Sequence, residues 1–291
     1  MPPAVMTRGT TRATYEGSVK QPLATSAAFL WRALSVRAIL LSACTLVALA
    51  QSASAQRGGG GGRRRQEQVF EPNVPYNGKF TYVRIRYELP QSFGGFGGGD
   101  IKWAHDYPRG ERNFTKVMTA LSTIRTQQTG SNILTLDDPA LTRYPIAFLT
   151  EPGFWRPNDL EIAGLRNYIA KGGFIVFDDF AGEHWNNFDE QLRKVFPKLR
   201  PIPLTLDHPV FDSFYKIKSI DLSHPYYRGL QAVFYGLFED NDPRKRLLGI
   251  ANYNFDMSEF WEFSDEGMFP VDASNEAFKI GVNYIIFALT R

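Results

Sequence analysis

The residues in this chain best suited to chemistry are carboxylates and histidines that close apolar runs. YPIAFLTE ends in Glu151, and GGFIVFDD ends in Asp178 and Asp179. Glu183 and His184 follow shortly afterwards. A carboxylate desolvated beside another carboxylate has a raised pKa, which makes it a usable general base near neutral pH. Asp179, Glu183 and His184 also spell D-x-x-x-E-H, a mixed oxygen and nitrogen set that suits Zn²⁺ or Mn²⁺. The set matches no established metalloenzyme spacing such as H-E-x-x-H. The competing role for Asp178 and Asp179 is structural, as caps for backbone N–H groups of the next helix.

Two further groups belong beside these. His105 and Asp106 are adjacent in WAHDYPRGERNF, and a His next to an Asp suits acid–base work. Asp106 could equally make a turn ahead of Pro108. Trp103 offers a stacking face for a sugar ring, or an anchor for its loop. Asn254, Asp256, Glu259 and Trp261 lie in NYNFDMSEFWEF, a composition that suits the lining of a polar pocket and equally a packed strand-to-loop corner. His208 and His224 both precede prolines, which puts them in extended or turn conformation.

Other chemistries lack their motifs. No G-x-S-x-G is present, which argues against a standard serine hydrolase. FGGFGGGD does not fit G-x-G-x-x-G, because Asp100 stands where the last glycine would be, and no Gly-Lys-Ser/Thr follows. No organic cofactor is expected, and a divalent metal is the only candidate. The loop from Phe93 to Phe114 reads as a flap, since long loops in compact domains are functional or disordered.

The elements that must position these groups alternate. FTYVRIRY, Phe80 to Tyr87, reads as the first strand. Apolar residues at three- and four-residue spacing predict a helix from Asn113 to Gln128. SNILTLD, YPIAFLTEP and GFIVFDDF read as three more strands. A helix opened by Pro157-Asn158-Asp159 and stopped at Gly172-Gly173 separates the last two. A short helix follows over Asn187–Phe196. Two strands joined at Asn241-Asp242-Pro243-Arg244 come next, and a closing helix begins at Asp272. Strand–helix–strand repetition with short connections implies a three-layer, flavodoxin-like α/β fold: a mostly parallel sheet with helices on both faces. In such sheets ligands bind at the carboxyl ends of the strands, where Glu151, Asp178 and Asp179 fall.

The N-terminal part reads differently. Arg37, the apolar run AILLSACTLVALA and Ala53-Ser54-Ala55 have the order of a signal peptide, so residues 1–55 are read as a leader and the product as exported, periplasmic or extracellular. Leu41-Ser42-Ala43-Cys44 resembles a lipobox, which makes a lipid anchor at Cys44 the alternative. Residues 56–78 are read as a disordered Gly/Arg-rich linker. Arg63, Arg64 and Arg65 could touch an anionic membrane surface, each worth on the order of 1 kcal/mol there. Residues 79–291 are read as a single α/β domain. Cys44 is the only cysteine, so a product cleaved after Ala55 has no disulfide, Cys nucleophile or thiolate site. Of the 33 basic and 30 acidic residues, 9 and 2 precede Phe70, leaving the remainder at about −4. That balance argues against nucleic acid as a partner.

WAHDYPRGERNF, EPGFW followed by GGFIVFDD, His208-Pro209, NYNFDMSEFWEF and the closing FKIGVNYIIFALTR together resemble the bacterial domain-of-unknown-function family 4159, over Lys79 to Arg291. The resemblance implies the class I glutamine-amidotransferase-like superfamily and its flavodoxin-like sheet. It also implies relatives that are exported singly or joined to membrane proteins. Amidotransferases of that superfamily use a Cys nucleophile at a strand–helix elbow, so glutaminase activity by that route is excluded. The expectation is an exported domain that binds a polar ligand, a carbohydrate or cell-wall fragment, or an envelope partner. The alternatives are an acid–base or metal-assisted hydrolase using Asp179 with Glu151 or His184, and a purely structural envelope-assembly module.

Overall fold

Four parallel strands are laid down first, and their order creates the crevice. They are β1 (Val83–Ile85), β2 (Asn132–Leu134), β3 (Ile146–Thr150) and β4 (Phe174–Phe180). The computed structural model describes residues 69–89 and 100–290. The leader, Cys44, Arg63, Arg64, Arg65 and the glycine run of the expected flap lie outside the described residues. The helices are α1 (Arg109–Leu121), α2 (Asp159–Ala170), α3 (His184–Val195), α4 (Met257–Glu262) and α5 (Val271–Leu289). Strands β5 (Ile202–Pro203), β6 (Val233–Phe238) and β7 (Leu247–Tyr253) complete one sheet ordered β2-β1-β3-β4-β7-β6-β5. Pairing is parallel from β2 through β7 and antiparallel at β7-β6-β5. The fold is therefore the expected mostly parallel α/β sheet. Its first five strands follow the flavodoxin-like order, with the topological switch point between β1 and β3.

Side-chain alternation along each strand feeds two cores. Ile146, Phe148, Phe174 and Val176 pack with Phe114 and Met118 of α1, Phe260 and Trp261 of α4, and Ile280 and Tyr284 of α5. Ala147, Leu149, Ile175 and Phe177 pack on the opposite face with Leu165, Tyr168 and Ile169 of α2 and Phe188 and Leu192 of α3. Burying side chains of this size contributes about 1.5–3 kcal/mol each, which is why β3 up to Leu149 and β4 up to Phe177 are apolar. Helix α2 starts at a capping box: Asn158 Oδ1 accepts from Leu160 N and Glu161 N, and Glu161 returns a bond to Asn158 N.

Two boundaries depart from the sequence reading. The helix expected over Asn113–Gln128 runs instead from Arg109 to Leu121. Its expected C-terminal part is drawn to the sheet, where Phe80 N donates to Arg125 O (2.8 Å) and Gln127 N to Phe80 O (2.7 Å). Residues 70–74, placed by sequence in the disordered linker, are pinned to the domain. Val74 N donates to Asn132 Oδ1 (2.7 Å) and Asn73 Nδ2 to Ile133 O (2.9 Å), while the Phe70 ring lies 4.8 Å from that of Trp103. Among the described residues no helix is long and apolar enough to cross a membrane.

Candidate functional site

Strands β3 and β4 deliver two carboxylates to the carboxyl end of the sheet, and both are held in strained backbone. Glu151 follows β3 with φ 52°, and Asp179 has φ 62° where the β4–β7 register shifts between Phe177 and Phe180. Such a bulge re-aims one side chain. Asp178 stays in phase with Val176 and faces α4, while Asp179 turns towards the loop before α1. Asp106 (φ 64°) and Asn254 (φ 58°) border the same region. Left-handed backbone at a non-glycine residue costs of order 1–3 kcal/mol and persists where its surroundings over-determine it.

The histidine comes from that loop, which is fixed from below. Arg84, fully buried in β1, donates from Nη1 to the carbonyl oxygens of Trp103 (3.0 Å) and His105 (2.8 Å) and to Thr150 Oγ1 (3.0 Å). Its Nε donates to Glu111 Oε1 of α1 at 2.8 Å. Held in this way, His105 places Nδ1 at 3.1 Å from Asp179 Oδ2 and 3.3 Å from Glu151 Oε1, with Nε2 2.6 Å from Asp100 Oδ1. Lys102 Nζ bridges Asp100 Oδ2 (2.6 Å) and Glu151 Oε1 (3.3 Å). The Tyr227 hydroxyl donates to Asp179 Oδ1 at 2.6 Å. Glu151 Oε2 is buried without a hydrogen-bond partner, and His184 Nδ1 stands 3.7 Å from it.

Environment separates the protonation states of these groups. Burial works against a charged His105, but Asp179, Asp100 and Glu151 outweigh it and raise the imidazole pKa to about 9. Burial and the neighbouring Asp179 push Glu151 up to about 7. Asp179 is also buried, yet the His105 and Tyr227 hydrogen bonds hold its pKa below the ordinary value. Burial and then Lys102 lower the pKa of His184.

A match to a family model covers residues 81–289 and carries the description Domain of unknown function (DUF4159). The chain belongs to this family. Comparison with curated proteins gives no match. The matched span includes His105, Glu151, Asp179, His184 and Tyr227, so the whole crevice is part of the DUF4159 domain.

The other residues singled out by sequence take different places in the DUF4159 domain. Asp178 is a buried helix cap: it accepts from Asn252 Nδ2 (2.8 Å), Met257 N (3.2 Å) and Ser258 N (3.1 Å). Asp256 is the N-cap of α4, accepting from Glu259 N at 2.9 Å. Asp106 accepts from Ser258 Oγ at 2.6 Å, and donor atoms of Asp106, Asp256 and Glu259 lie within 4.8 Å of one another. Burial first, and then neighbouring carboxylates, raise the pKa of all three, Glu259 to about 8. Within this second cluster Glu259 keeps its proton at neutral pH, and the group acts as a hydrogen-bonded support. Asn254 ties two loops together, accepting from Gly182 N (3.1 Å) and donating to Gln231 O (3.0 Å).

Two readings need correction. Trp261 does not line the crevice; it is wholly buried and stacks on Phe114 with centroids 4.3 Å apart. Of the two roles open to Trp103, the loop anchor fits its burial, 6% exposed. Glu183 is exposed at the start of α3 and makes no side-chain cap, so D-x-x-x-E-H does not assemble. A turn closed by His184 N donating to Ala181 O (3.1 Å) brings His184 back towards Glu151, and Asp179 pairs with His105 instead. His208 and His224 both serve turns, accepting from Val210 N and Tyr226 N. Sequence reasoning passed over Arg84, Asp100, Lys102 and Tyr227. Only Arg84 carried a signal, as a cation in the buried phase of an apolar strand.

Proposed function

We propose that this DUF4159 domain binds a polar ligand at the carboxyl ends of β3 and β4 and is equipped for proton transfer there. One observation carries the reading: the buried, unpartnered Oε2 of Glu151 sits beside the switch point, on a residue whose sister oxygen faces His105. Two groups whose environments push their pKa values apart make an acid and a base. With a pKa of about 7, Glu151 can accept a proton from a hydroxyl or a water, and His105, at about 9, can return one. Asp179 stays ionised and orients the imidazole. The ligand class that suits such a site is a carbohydrate or cell-wall fragment, and the reaction class is acid–base hydrolysis.

The resemblance to the glutamine-amidotransferase-like superfamily supports the same location. Asp179, with φ 62°, lies near the end of a strand that leads into a helix, and amidotransferases of that superfamily carry a Cys nucleophile at a strand–helix elbow. The leader read over residues 1–55 would put this chemistry on an exported protein. A thermal-shift and calorimetric screen of the purified chain against glycans and cell-wall fragments tests the reading. A hit is expected to lose its effect in Glu151→Gln and in His105→Gln. A ligand response unchanged in both variants would remove the crevice from consideration.

A further inference from the structure

We propose that the crevice holds one divalent cation of the zinc or manganese class, with His105 Nδ1, a Glu151 carboxylate oxygen and Asp179 Oδ2 as its protein ligands. The proposal rests on reading this crevice as the functional site and adds its inorganic component; with an ion held there, His105 and Glu151 would serve as ligands, and the ion would supply an acidic bound water in place of their own proton transfer.

The geometry suits an ion closely. The three donor atoms lie within 4.8 Å of one another, with Nδ1 3.1 Å from Asp179 Oδ2 and 3.3 Å from Glu151 Oε1. Metal–nitrogen and metal–oxygen bonds of about 2.0–2.2 Å put neighbouring ligands of a tetrahedron roughly 3.3–3.5 Å apart, and those of an octahedron about 3 Å apart. An ion therefore enters with only small shifts. Two carboxylates and a neutral imidazole balance a double positive charge. The nitrogen donor favours Zn²⁺ or Mn²⁺ over Mg²⁺ and Ca²⁺, which take oxygen ligands.

The surroundings are those of a ligand set held in place. Asp100 Oδ1, 2.6 Å from His105 Nε2, retains the Nε2–H, so the proton that an entering cation displaces is the one on Nδ1, between Glu151 and Asp179. Carboxylate–histidine–metal relays of this kind fix the tautomer and the ring orientation of metal-binding histidines. Tyr227 occupies Asp179 Oδ1 and so leaves Oδ2 for the ion. The independent pointer is Glu151 Oε2: its residue is 6% exposed, yet this oxygen has no hydrogen-bond partner. A buried polar atom of that kind calls for an explanation, and a cation bound by Glu151 gives it one. His184 Nδ1, at 3.7 Å, is the side chain placed to complete the coordination; otherwise water takes that position.

The test uses the full chain, stripped with a chelator and titrated calorimetrically with Zn²⁺, Mn²⁺ or Mg²⁺ alone. One Zn²⁺ or Mn²⁺ per chain is expected, weakened about 100-fold or more in Asp179→Asn and in His105→Ala. The distant surface variant Glu190→Gln should bind as the wild type does. Circular dichroism establishes that each variant is folded, and Glu151→Gln provides a near-isosteric third removal of a ligand. Co²⁺ added to the wild type should give visible absorption that is lost with the imidazole. No binding of either metal by folded wild-type protein at about 100 µM, or affinity unaltered in both Asp179→Asn and His105→Ala, overturns the proposal. If glycan responses still depend on Glu151 in that event, only the metal falls. Metal binding by a protein that responds to no polar ligand would instead sink the assignment of a glycan to this crevice.

Discussion

Arg84 Nη1 lies 2.8 Å from the carbonyl oxygen of His105, so the crevice histidine is propped from within the sheet. The same guanidinium pairs with Glu111 in α1, and both side chains are almost completely buried. Breaking one side of such a pair leaves a buried charge uncompensated, at a cost of about 3–5 kcal/mol. Arg84→Met should therefore destabilise the fold by that amount in urea denaturation. Adding Glu111→Leu should recover much of the loss while leaving the His105 loop without its prop. A single-variant cost below about 1 kcal/mol would show that the pair does not support the loop.

Stability should fall as pH rises from about 5 to about 9. Glu151 titrates at about 7 in the folded chain against an ordinary 4.5, Asp178 at about 7 against 3.8, and His105 at about 9 against 6.5. In each case the folded state binds the proton more tightly. The associated stability is fullest below the unfolded pKa and is lost as pH rises through the folded one. Asp179 works in the opposite sense, since its folded pKa is depressed; its contribution is present above 3.8 and is lost as pH falls through the folded value. Buried His224, pushed down to about 4, also opposes the trend below 6.5, but the raised carboxylates outnumber it. Thermal melts across this range should show the decline, flattened between 4.5 and 7 in Glu151→Gln. Melting temperatures that climb steadily from pH 5 to 9 would contradict the assigned protonation states.

Much of this organisation was legible from residue order. Apolar runs ending in carboxylates predicted both the parallel strands and the end of the sheet where Glu151 and Asp179 meet. The pairing of Asp179 with His105 was not legible, because it depends on a bulge that turns one aspartate and leaves its neighbour in phase. Local pattern also misplaced α4. Asp256 followed three residues later by Glu259 is a helix-start signal, yet aromatic neighbours made the segment read as a pocket lining. Trp261 went into the core for the same reason, since a short amphipathic helix must bury its aromatic face. Lys102 and Tyr227 have no signature at all: each reaches the crevice from a loop whose course is set by tertiary packing.

Tyr227→Phe isolates one support of Asp179. The hydroxyl donates at 2.6 Å to Oδ1, and a bond to an ionised carboxylate is worth about 1.5–3 kcal/mol. Partial exposure of the tyrosine puts the expected loss near the lower end, about 1–2 kcal/mol. Removing the donor should also raise the Asp179 pKa, observable by carbon NMR titration of labelled aspartate. An Asp179 midpoint that does not move would mean that His105 alone keeps this carboxylate ionised.

Glu151 pits function against stability most directly. It is buried, its Oε2 has no hydrogen-bond partner, and its backbone sits at φ 52°, a region that glycine occupies freely. Glu151→Gly relieves backbone strain of order 1 kcal/mol and removes a poorly solvated carboxylate, at the expense of its contacts with Lys102 and His105. Those contacts are partly exposed and weak, so above pH 7 the variant should be more stable than the wild type. For a domain of this size about 1 kcal/mol corresponds to a melting-temperature rise of roughly 2–4 °C. The same substitution should abolish both metal and polar-ligand binding, because a residue kept despite its own cost is characteristic of a working site. A Glu151→Gly protein that melts several degrees lower at pH 8 would show instead that Glu151 is there to hold the fold, and the crevice would lose its central functional residue.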